Sequence, residues 1–289
     1  MIANRALERL GHERGSYSVI HPSSDVNMSL STEDVYPTAV RIASIQGAQE
    51  LLSAIGHLRA ELARKAIELT DISKMGRTGC KAATPMTLGQ EFEGYAVMLD
   101  EDQRRIREAL SHLHKISLGA TAPGTAIDRH PRYASKFWVY LREITALPLE
   151  RAGRPVEAHL ASRGFVLLSA ALRHNAVTLS RICNDLTLLS SHRGEDLAQI
   201  DLPWRQDESW TAEGKVRPVI PEVVNQVAFE VIGNDLTITM AAEAGQLRPN
   251  GNAFEPIIAL SIFASLDHLS AACTVLAERC IAGITSSNK

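Results

Sequence analysis

The feature that most constrains this fold is a helical spacing of apolar residues sustained over an unusually long stretch. Between about Pro37 and Thr70, apolar residues recur at every third or fourth position. This spacing predicts a single helix, which at 1.5 Å per residue would be about 50 Å long. A helix of that length exceeds the usual helix of a compact domain and favours a helical bundle.

Four further long helices are predicted by the same pattern. The last two carry apolar residues around much of their circumference, which predicts burial on several sides, as at the centre of an oligomer. The segments 117–155 and 192–218 contain the glycines, prolines and irregular patterns expected of loops. The sequence therefore predicts an all-α fold built on a long five-helix bundle. The four helices are expected at about 84–116, 156–191, 221–244 and 254–281.

Composition narrows the class of protein. A formal net charge of −3 and the lack of dense basic runs give no indication of a nucleic-acid or membrane partner. The first residues lack the pattern of a signal peptide, and no uncharged apolar run reaches about 18 residues. We therefore predict a soluble cytoplasmic protein. The cysteines show no metal-ligand spacing and are interpreted as reduced thiols, with no metal bound; they are Cys80, Cys183, Cys273 and Cys280.

Two other patterns are interpreted as structural. The charge-dense segment 100–108 alternates in sign, which predicts a solvated helix face rather than a binding patch. His174 and His192 have no partners that the pattern identifies, so both are interpreted as surface or packing residues.

The segment 219–248, VIPEVVNQVAFEVIGNDLTITMAAEAGQLR, resembles aspartate ammonia-lyases of the aspartase/fumarase superfamily. The resemblance runs from IANRALERLG near the start to LAERCIAGIT near the end. It implies the family's central five-helix domain, which assembles into a twenty-helix core in a homotetramer, and no cofactor. It also implies that 1–32 is a remnant of an amino-terminal domain, that 33–289 is the central domain, and that the carboxy-terminal domain is absent.

The family builds its active site from three segments, and the first resembles residues 21–37, HPSSDVNMSLSTEDVYP. Ser31 and Thr32 match carboxylate-binding hydroxyl groups near a helix N-terminus. The alternative is that the two residues only cap the first long helix. Glu33 replaces an asparagine that contacts substrate, and its carboxylate would repel a dianion unless it met a cationic group.

The second segment resembles residues 75–92, MGRTGCKAATPMTLGQEF. Thr78 matches a substrate-contacting threonine of the family. Gly79 stands where the family has histidine or glutamine, so this position offers no side chain. Cys80 is interpreted as a buried structural thiol, because the pattern places no base beside it to activate it.

The third segment is the loop at 208–218, ESWTAEGKVRP. Aligning its end with the family's Lys-Val-Asn-Pro places Ser209 at the general-base serine and Lys215 at a carboxylate-binding cation. Arg217 replaces an asparagine, and we hypothesise that it pairs with Glu33 across a subunit boundary. Glu222, just beyond the loop, matches a residue that supports the family's site from behind.

These matches imply a lyase that reversibly eliminates ammonia from L-aspartate to give fumarate, with impaired activity. Because the mismatches cluster in the active-site segments, an alternative is an inactive truncated paralogue that acts as an assembly module, joining a full-length lyase. A third reading is a lyase with an altered dicarboxylate substrate, in which Glu33 accepts a cationic group and Arg217 an extra anion. The expected partners are a small dicarboxylate or amino-acid substrate and further copies of the chain.

Overall fold

The computed structural model describes the chain in eight stretches. They are 1–28, 32–78, 81–116, 133–151, 161–191, 199–203, 218–244 and 253–287, with the backbone alone at 32–34, 77–78, 81–83, 133–135 and 161. The chain divides into two compact units. The first comprises Met1–Ala43, Leu113–Ser162 and Gly245–Ala253, and the second Ser44–His112, Arg163–Ala244 and Phe254–Lys289.

The five predicted long helices are confirmed in type and order. The helices are α1 (Ile2–Arg9), α2 (Thr32–Glu68), α3 (Leu88–Ser111), α4 (Tyr133–Thr145), α5 (Ala161–Leu189), α6 (Val219–Glu243) and α7 (Glu255–Arg279). The strands are β1 (Ser73–Thr78), β2 (Lys81–Thr87), β3 (Lys115–Ile116), β4 (Glu150–Arg151), β5 (Ile200–Asp201) and β6 (Thr285–Ser286). The strands form two-stranded sheets β1–β2, β3–β4 and β5–β6, of which only β3–β4 is parallel.

Two predictions about the helices after β1 were wrong, one on where a helix begins and one on a segment expected to be loop. The second long helix begins at Leu88 rather than near 84, because residues 81–87 form β2 of a hairpin. Thr87 caps the helix: its hydroxyl accepts from Gln90 N at 3.2 Å, and Gln90 Oε1 accepts from Thr87 N at 3.1 Å. The segment 117–155 was predicted as loop but contains α4, which ends at Thr145 before Pro148 could interrupt it.

The core of the second unit follows the predicted apolar spacing. Fully buried side chains from each long helix interlock there, and burial of this kind provides most of the stability of a bundle. Gly47 on α2 lies so close to α7 that an added Cβ would stand 3.2 Å from Leu266 Cδ1. The buried set includes Ile45, Ile55, Leu62, Phe92, Leu99, Ile106, Leu168, Leu179, Val224, Val231, Ile262 and Leu269.

In the first unit, Arg41 of α2 holds the short strand β3 in place. The arginine is buried, and its guanidinium donates to Lys115 O at 3.1 Å and to Leu113 O at 3.5 Å. Glu150 N, at the start of β4, donates to His114 O at 2.8 Å. Backbone carbonyls therefore satisfy a cation that would be costly to bury alone.

The described cysteines are Cys183, Cys273 and Cys280, and all three are free and buried. Burial raises the pKa of Cys273 and of Cys280 to about 12, and it raises that of Cys183 still further. These observations fit the interpretation of these three cysteines as reduced thiols, and burial makes them unreactive. Cys80, interpreted as a buried structural thiol, lies outside the described residues.

The helical stretch Glu255–Gly283 is long and apolar enough to cross a membrane by length and composition alone, and 50% of its apolar window is buried inside the protein. Core helices of bundles share these properties.

One face of α6 leaves large apolar side chains uncovered. Phe229 and Leu236 are each 63% exposed and Met240 is 67% exposed, with Ile232 beside them. These four residues follow one another at spacings of three and four, so they form one stripe along the helix, called the α6 stripe below. Exposed apolar surface of this kind marks an interaction face.

Candidate active site

Most of the predicted site residues lie outside the described part of the chain. Ser31, Gly79, Ser209, Lys215 and Arg217 are in this group. The backbone alone is described for Thr32 and Glu33, which open α2, and for Thr78, which ends β1. The predicted pairing of Glu33 with Arg217 therefore stays a prediction.

Glu222 is the one predicted site residue whose side chain is described. It lies in the first turn of α6, directly after the third predicted segment, and is half-buried. Its backbone N donates to Pro218 O at 3.0 Å, which closes the first turn of the helix. A carboxylate in the first turn is favoured by the partial positive charge of the helix N-terminus.

The start of the first segment forms a tight turn around Pro22–Val26. His21 Nδ1 accepts from the backbone N of Ser23 and of Ser24, each at 3.2 Å. The Asp25 carboxylate accepts from His21 N at 2.6 Å. His21 and Asp25 therefore hold the backbone of this turn.

The second segment includes most of the hairpin β1–β2, and the predicted substrate-binding residue Thr78 is the last residue of β1. Antiparallel pairing runs from Ser73 opposite Thr87 to Thr78 opposite Lys81. The register shifts between Met75 and Arg77, so Gly76 lies in a β-bulge. An added Cβ on Gly76 would stand 3.0 Å from Met86 Sδ and from Thr84 O, so glycine is the residue that fits this bulge.

The base of the hairpin is fixed to the end of α2. Leu88 N donates to Ile72 O at 2.8 Å, and Gly89 N donates to Leu69 O at 3.0 Å. An added Cβ on Gly89 would stand only 2.4 Å from Ala66 O. The start of α3 therefore satisfies its unpaired N–H groups on the carbonyls after α2, at a distance that only glycine permits.

A polar cluster beside the hairpin joins β1, α3 and α5. Lys74 of β1 donates to Glu91 of α3, and the Lys74 side chain is only 7% exposed. One turn further along α3, the Tyr95 hydroxyl donates to Asp185 Oδ2 at 3.3 Å. Arg181 lies 3.9 Å from the same carboxylate. We call these five residues the hairpin cluster.

Burial and charge shift the pKa values within the hairpin cluster. Burial, reinforced by the carboxylates of Glu91 and Asp185, raises the pKa of Tyr95 far above its usual value. The hydroxyl is therefore a permanent donor. Burial also raises the pKa of Asp185, and it outweighs the lowering effects of Tyr95 and the nearby cations.

A second polar link connects α5 to the first part of α6. The Ser180 hydroxyl donates to Asn225 Oδ1 at 2.6 Å, and Asn225 Nδ2 donates to Asn184 Oδ1 at 3.0 Å. Asn225 lies one turn after Glu222. This link therefore fixes the start of α6, where the predicted catalytic loop ends.

The structure also contains a buried polar cluster that the sequence interpretation missed. Asp102 lies inside the segment predicted as a solvated face, yet its side chain is 0% exposed. It lies 2.7 Å from His174 Nδ1 and accepts from Asn175 Nδ2 at 3.1 Å, while Arg105 lies 3.5 Å away. The signal was present in the sequence, because Asp102 is spaced three and four residues from Leu99 and Ile106 on the apolar face.

Within the described residues, no group of three or more His, Cys, Asp or Glu side chains is arranged to hold a metal ion.

Comparison with known proteins gives one consistent result. A family model described as lyase matches residues 1–233. The chain is 48% identical to an aspartate ammonia-lyase of Pseudomonas fluorescens, over 99% of this chain and 60% of that protein. It is 45% identical to an aspartate ammonia-lyase of Helicobacter pylori, over 100% of this chain and 61% of that protein.

A solved structure shares the fold of this chain. The chain superimposes on a fumarate lyase:delta crystallin from Brucella melitensis with a TM-score of 0.90 and 47% identity, covering 99% of this chain and 64% of that one. The chain thus spans about 60% of the length of the curated relatives it matches. Its hairpin, its long helices and its sequence all agree with one group: the chain belongs to the lyase family, the aspartase/fumarase superfamily.

Proposed function

We propose that the chain acts as an aspartate ammonia-lyase, reversibly eliminating ammonia from L-aspartate to give fumarate, with impaired activity. The observation that carries this proposal is the identity of 45–48% to aspartate ammonia-lyases over 99–100% of the chain. A cytoplasmic location and the division of domains at residue 32 are part of the same proposal.

In the proposed reaction Ser209 removes a proton from the carbon next to a carboxylate of L-aspartate. The electron pair is held on that carboxylate as an enediolate, which cations and N–H donors stabilise. The C–N bond then breaks, the electron pair forms the double bond of fumarate, and ammonia leaves and takes up a proton as ammonium. One net negative charge is present before and after the reaction.

The remaining predicted residues would bind the two carboxylates. Thr32 opens α2, where unpaired backbone N–H groups favour an anion. Thr78 stands at the end of β1, next to the turn of a hairpin fixed at its base. Ser31 and Lys215 complete the set, and Glu222 supports it from the first turn of α6.

The function can be tested by following the ultraviolet absorbance of fumarate with purified protein. L-aspartate is the substrate and L-malate the control for a fumarase. Turnover of L-aspartate that falls roughly 10²–10⁴-fold in Ser209→Ala would support the proposal. Turnover of malate alone would reassign the substrate, and unchanged turnover in Ser209→Ala would show that another residue is the base.

A second candidate function is an inactive assembly module. The replacements Glu33, Gly79 and Arg217 favour it, because all three depart from the family pattern within the active-site segments. The absence of turnover with L-aspartate, together with co-purification with a full-length lyase, would select this reading.

In either case we propose that the chain assembles, with a homotetramer as the expected form. The α6 stripe supports this, since four large apolar side chains on one helix face are costly to leave in water. Leu236→Glu should therefore reduce the mass measured by light scattering, whereas Ile67→Glu, the same change at another exposed apolar residue, should not. A wild-type monomer at micromolar concentration would rule out the assembly.

A further inference from the structure

We propose that Lys74 is a positioning residue: its ion pair with Glu91 ties the hairpin β1–β2 to α3 and so fixes the place of Thr78. The link to catalysis rests on the proposed function, because the role of Thr78 in binding substrate comes from it. Neither Lys74 nor Glu91 belongs to the predicted set of site residues.

The hairpin needs such a tether because it is a two-stranded sheet. An isolated hairpin is marginally stable in water. Four described residues along this one are exposed to solvent, namely Ser73, Met75, Thr84 and Pro85. The strands therefore depend on contacts at their base for a fixed position.

The burial of Lys74 shows that its contact with Glu91 is a constrained one. The lysine side chain is 7% exposed and that of Glu91 is 25% exposed. A lysine head group this far from water is costly to leave unpaired, so any movement of β1 away from α3 would expose or isolate the charge. The pair therefore favours one position of the strand.

The tether lies close enough to Thr78 to control it. Thr78 lies four positions after Lys74, which corresponds to roughly 13 Å of extended strand. β1 stays paired with β2 on both sides of the register shift between Met75 and Arg77. A displacement of β1 at Lys74 is therefore carried along the paired strand towards Thr78.

Lys74 also balances the charge of the hairpin cluster. Its charge acts on Asp185 as well as on Glu91, and these two carboxylates flank the Tyr95 hydroxyl. Without Lys74 the two carboxylates would repel each other, and among the described residues the exposed Arg181 would be left to offset them. Loss of the lysine should therefore loosen the attachment of the hairpin to both α3 and α5.

The test uses hydrogen exchange and kinetics on the full chain. Lys74→Met removes the charge while keeping the stem, and Lys74→Arg keeps the charge. Lys65→Met is the matched control, because Lys65 is also buried and paired, to Glu68 and Ile284 O, but holds no part of the hairpin. Glu91→Gln serves as a second probe in case Lys74→Met does not fold.

We expect the amides of 74–78 and 81–87 to exchange about tenfold faster in Lys74→Met and in Glu91→Gln. They should keep wild-type rates in Lys65→Met and recover in Lys74→Arg. For L-aspartate, kcat should fall about 10²-fold in Lys74→Met, with KM changing less, because misplacement of Thr78 would affect the transition state most.

The possible results distinguish failure of the Lys74–Glu91 tether from failure of the proposed function. Unchanged exchange of the hairpin in both Lys74→Met and Glu91→Gln would overturn the tether. Faster exchange with unchanged kcat would overturn the positioning role. If wild-type protein does not turn over L-aspartate, the proposed function fails, while faster exchange in Lys74→Met that is absent from Lys74→Arg would still support the tether.

Discussion

Two polar clusters on α3 differ in what surrounds them. In the middle of the helix, Asp102 is enclosed by α5 and its side chain is 0% exposed. At the N-terminal end, Glu91 and Asp185 of the hairpin cluster are 25% and 36% exposed and adjoin a hairpin. The Asp102 cluster joins two long helices, α3 and α5. The hairpin cluster joins these helices to the two-stranded hairpin β1–β2.

The two clusters are expected to affect different properties: the Asp102 cluster the global stability of the bundle, and the hairpin cluster the position of the hairpin. Buried hydrogen bonds between packed helices contribute to the global free energy of unfolding, because they break only when the bundle opens. Contacts to a two-stranded hairpin break when the hairpin alone moves. Mutations in the middle of α3 should therefore change global stability, and those at its start should change local order as well.

The largest effect is expected at the Asp102 cluster. Asp102→Ala leaves Asn175 Nδ2 buried without its acceptor and removes one hydrogen-bond partner of His174, so the free energy of unfolding should fall by about 3 kcal/mol. Denaturant unfolding at fixed protein concentration measures this. Asp100→Ala, on the exposed side of the same helix, should change it by less than about 0.5 kcal/mol. Equal losses in the two variants would contradict the distinction.

The next effect is expected where α3 meets the end of α2. Gly89→Ala places a Cβ 2.4 Å from Ala66 O, a backbone atom that cannot yield cheaply, so it should cost about 2 kcal/mol. Gly94→Ala is the matched control, because its Cβ would meet nothing within 4 Å. That variant should be stabilised by up to about 1 kcal/mol. If thermal unfolding ranked the two variants in the opposite order, the close approach at Gly89 would be wrong.

A smaller effect is expected at the helix cap. Thr87→Ala removes the hydroxyl that accepts from Gln90 N, which should cost about 1 kcal/mol. Thr87→Ser keeps that hydroxyl and should recover most of the loss. Because Thr87 also ends β2, hydrogen exchange should increase in the hairpin before it does in α5. Uniform loss of protection would show that the hairpin and the bundle open together.

The smallest effect depends on pH. Burial raises the pKa of Asp185 above its usual 3.8, so the folded state favours the protonated form and ionisation costs stability as pH rises through the raised value. Asp185→Asn should therefore be more stable than wild type at neutral pH. The gain should disappear as pH falls below 3.8. A gain that is independent of pH would point to packing instead.

The bundle could be predicted because apolar residues recur at a regular helical spacing along the sequence. Ile45, Leu62 and the apolar residues between them repeat along α2, and their burial follows directly from that repeat. The start of α3 was expected near 84 because Thr84 followed by Pro85 has the pattern of a helix cap. Thr87 followed by Gln90 three residues later carries the capping-box pattern and marks the true start.

The polar clusters could be predicted only in part. Asp102 could have been recognised from its place among apolar neighbours, but its partner His174 lies 72 residues further along the chain, and no local pattern reports such a contact. Lys74 and Glu91 are likewise separated by a whole strand. The family resemblance suggested the remaining site, including Ser209 and Lys215, and these assignments remain predictions.

The buried cysteines can report on opening of the helical core, because their thiols become accessible only when the helices separate. Cys183 lies on α5 and Cys273 on α7, and their raised pKa values keep both thiols unreactive while the core is closed. At a reagent concentration high enough for labelling to outpace reclosing, a thiol-modifying reagent would therefore label these positions at the rate at which the helices separate. The extent of modification at Cys183 and Cys273 would therefore measure how often the folded core has opened.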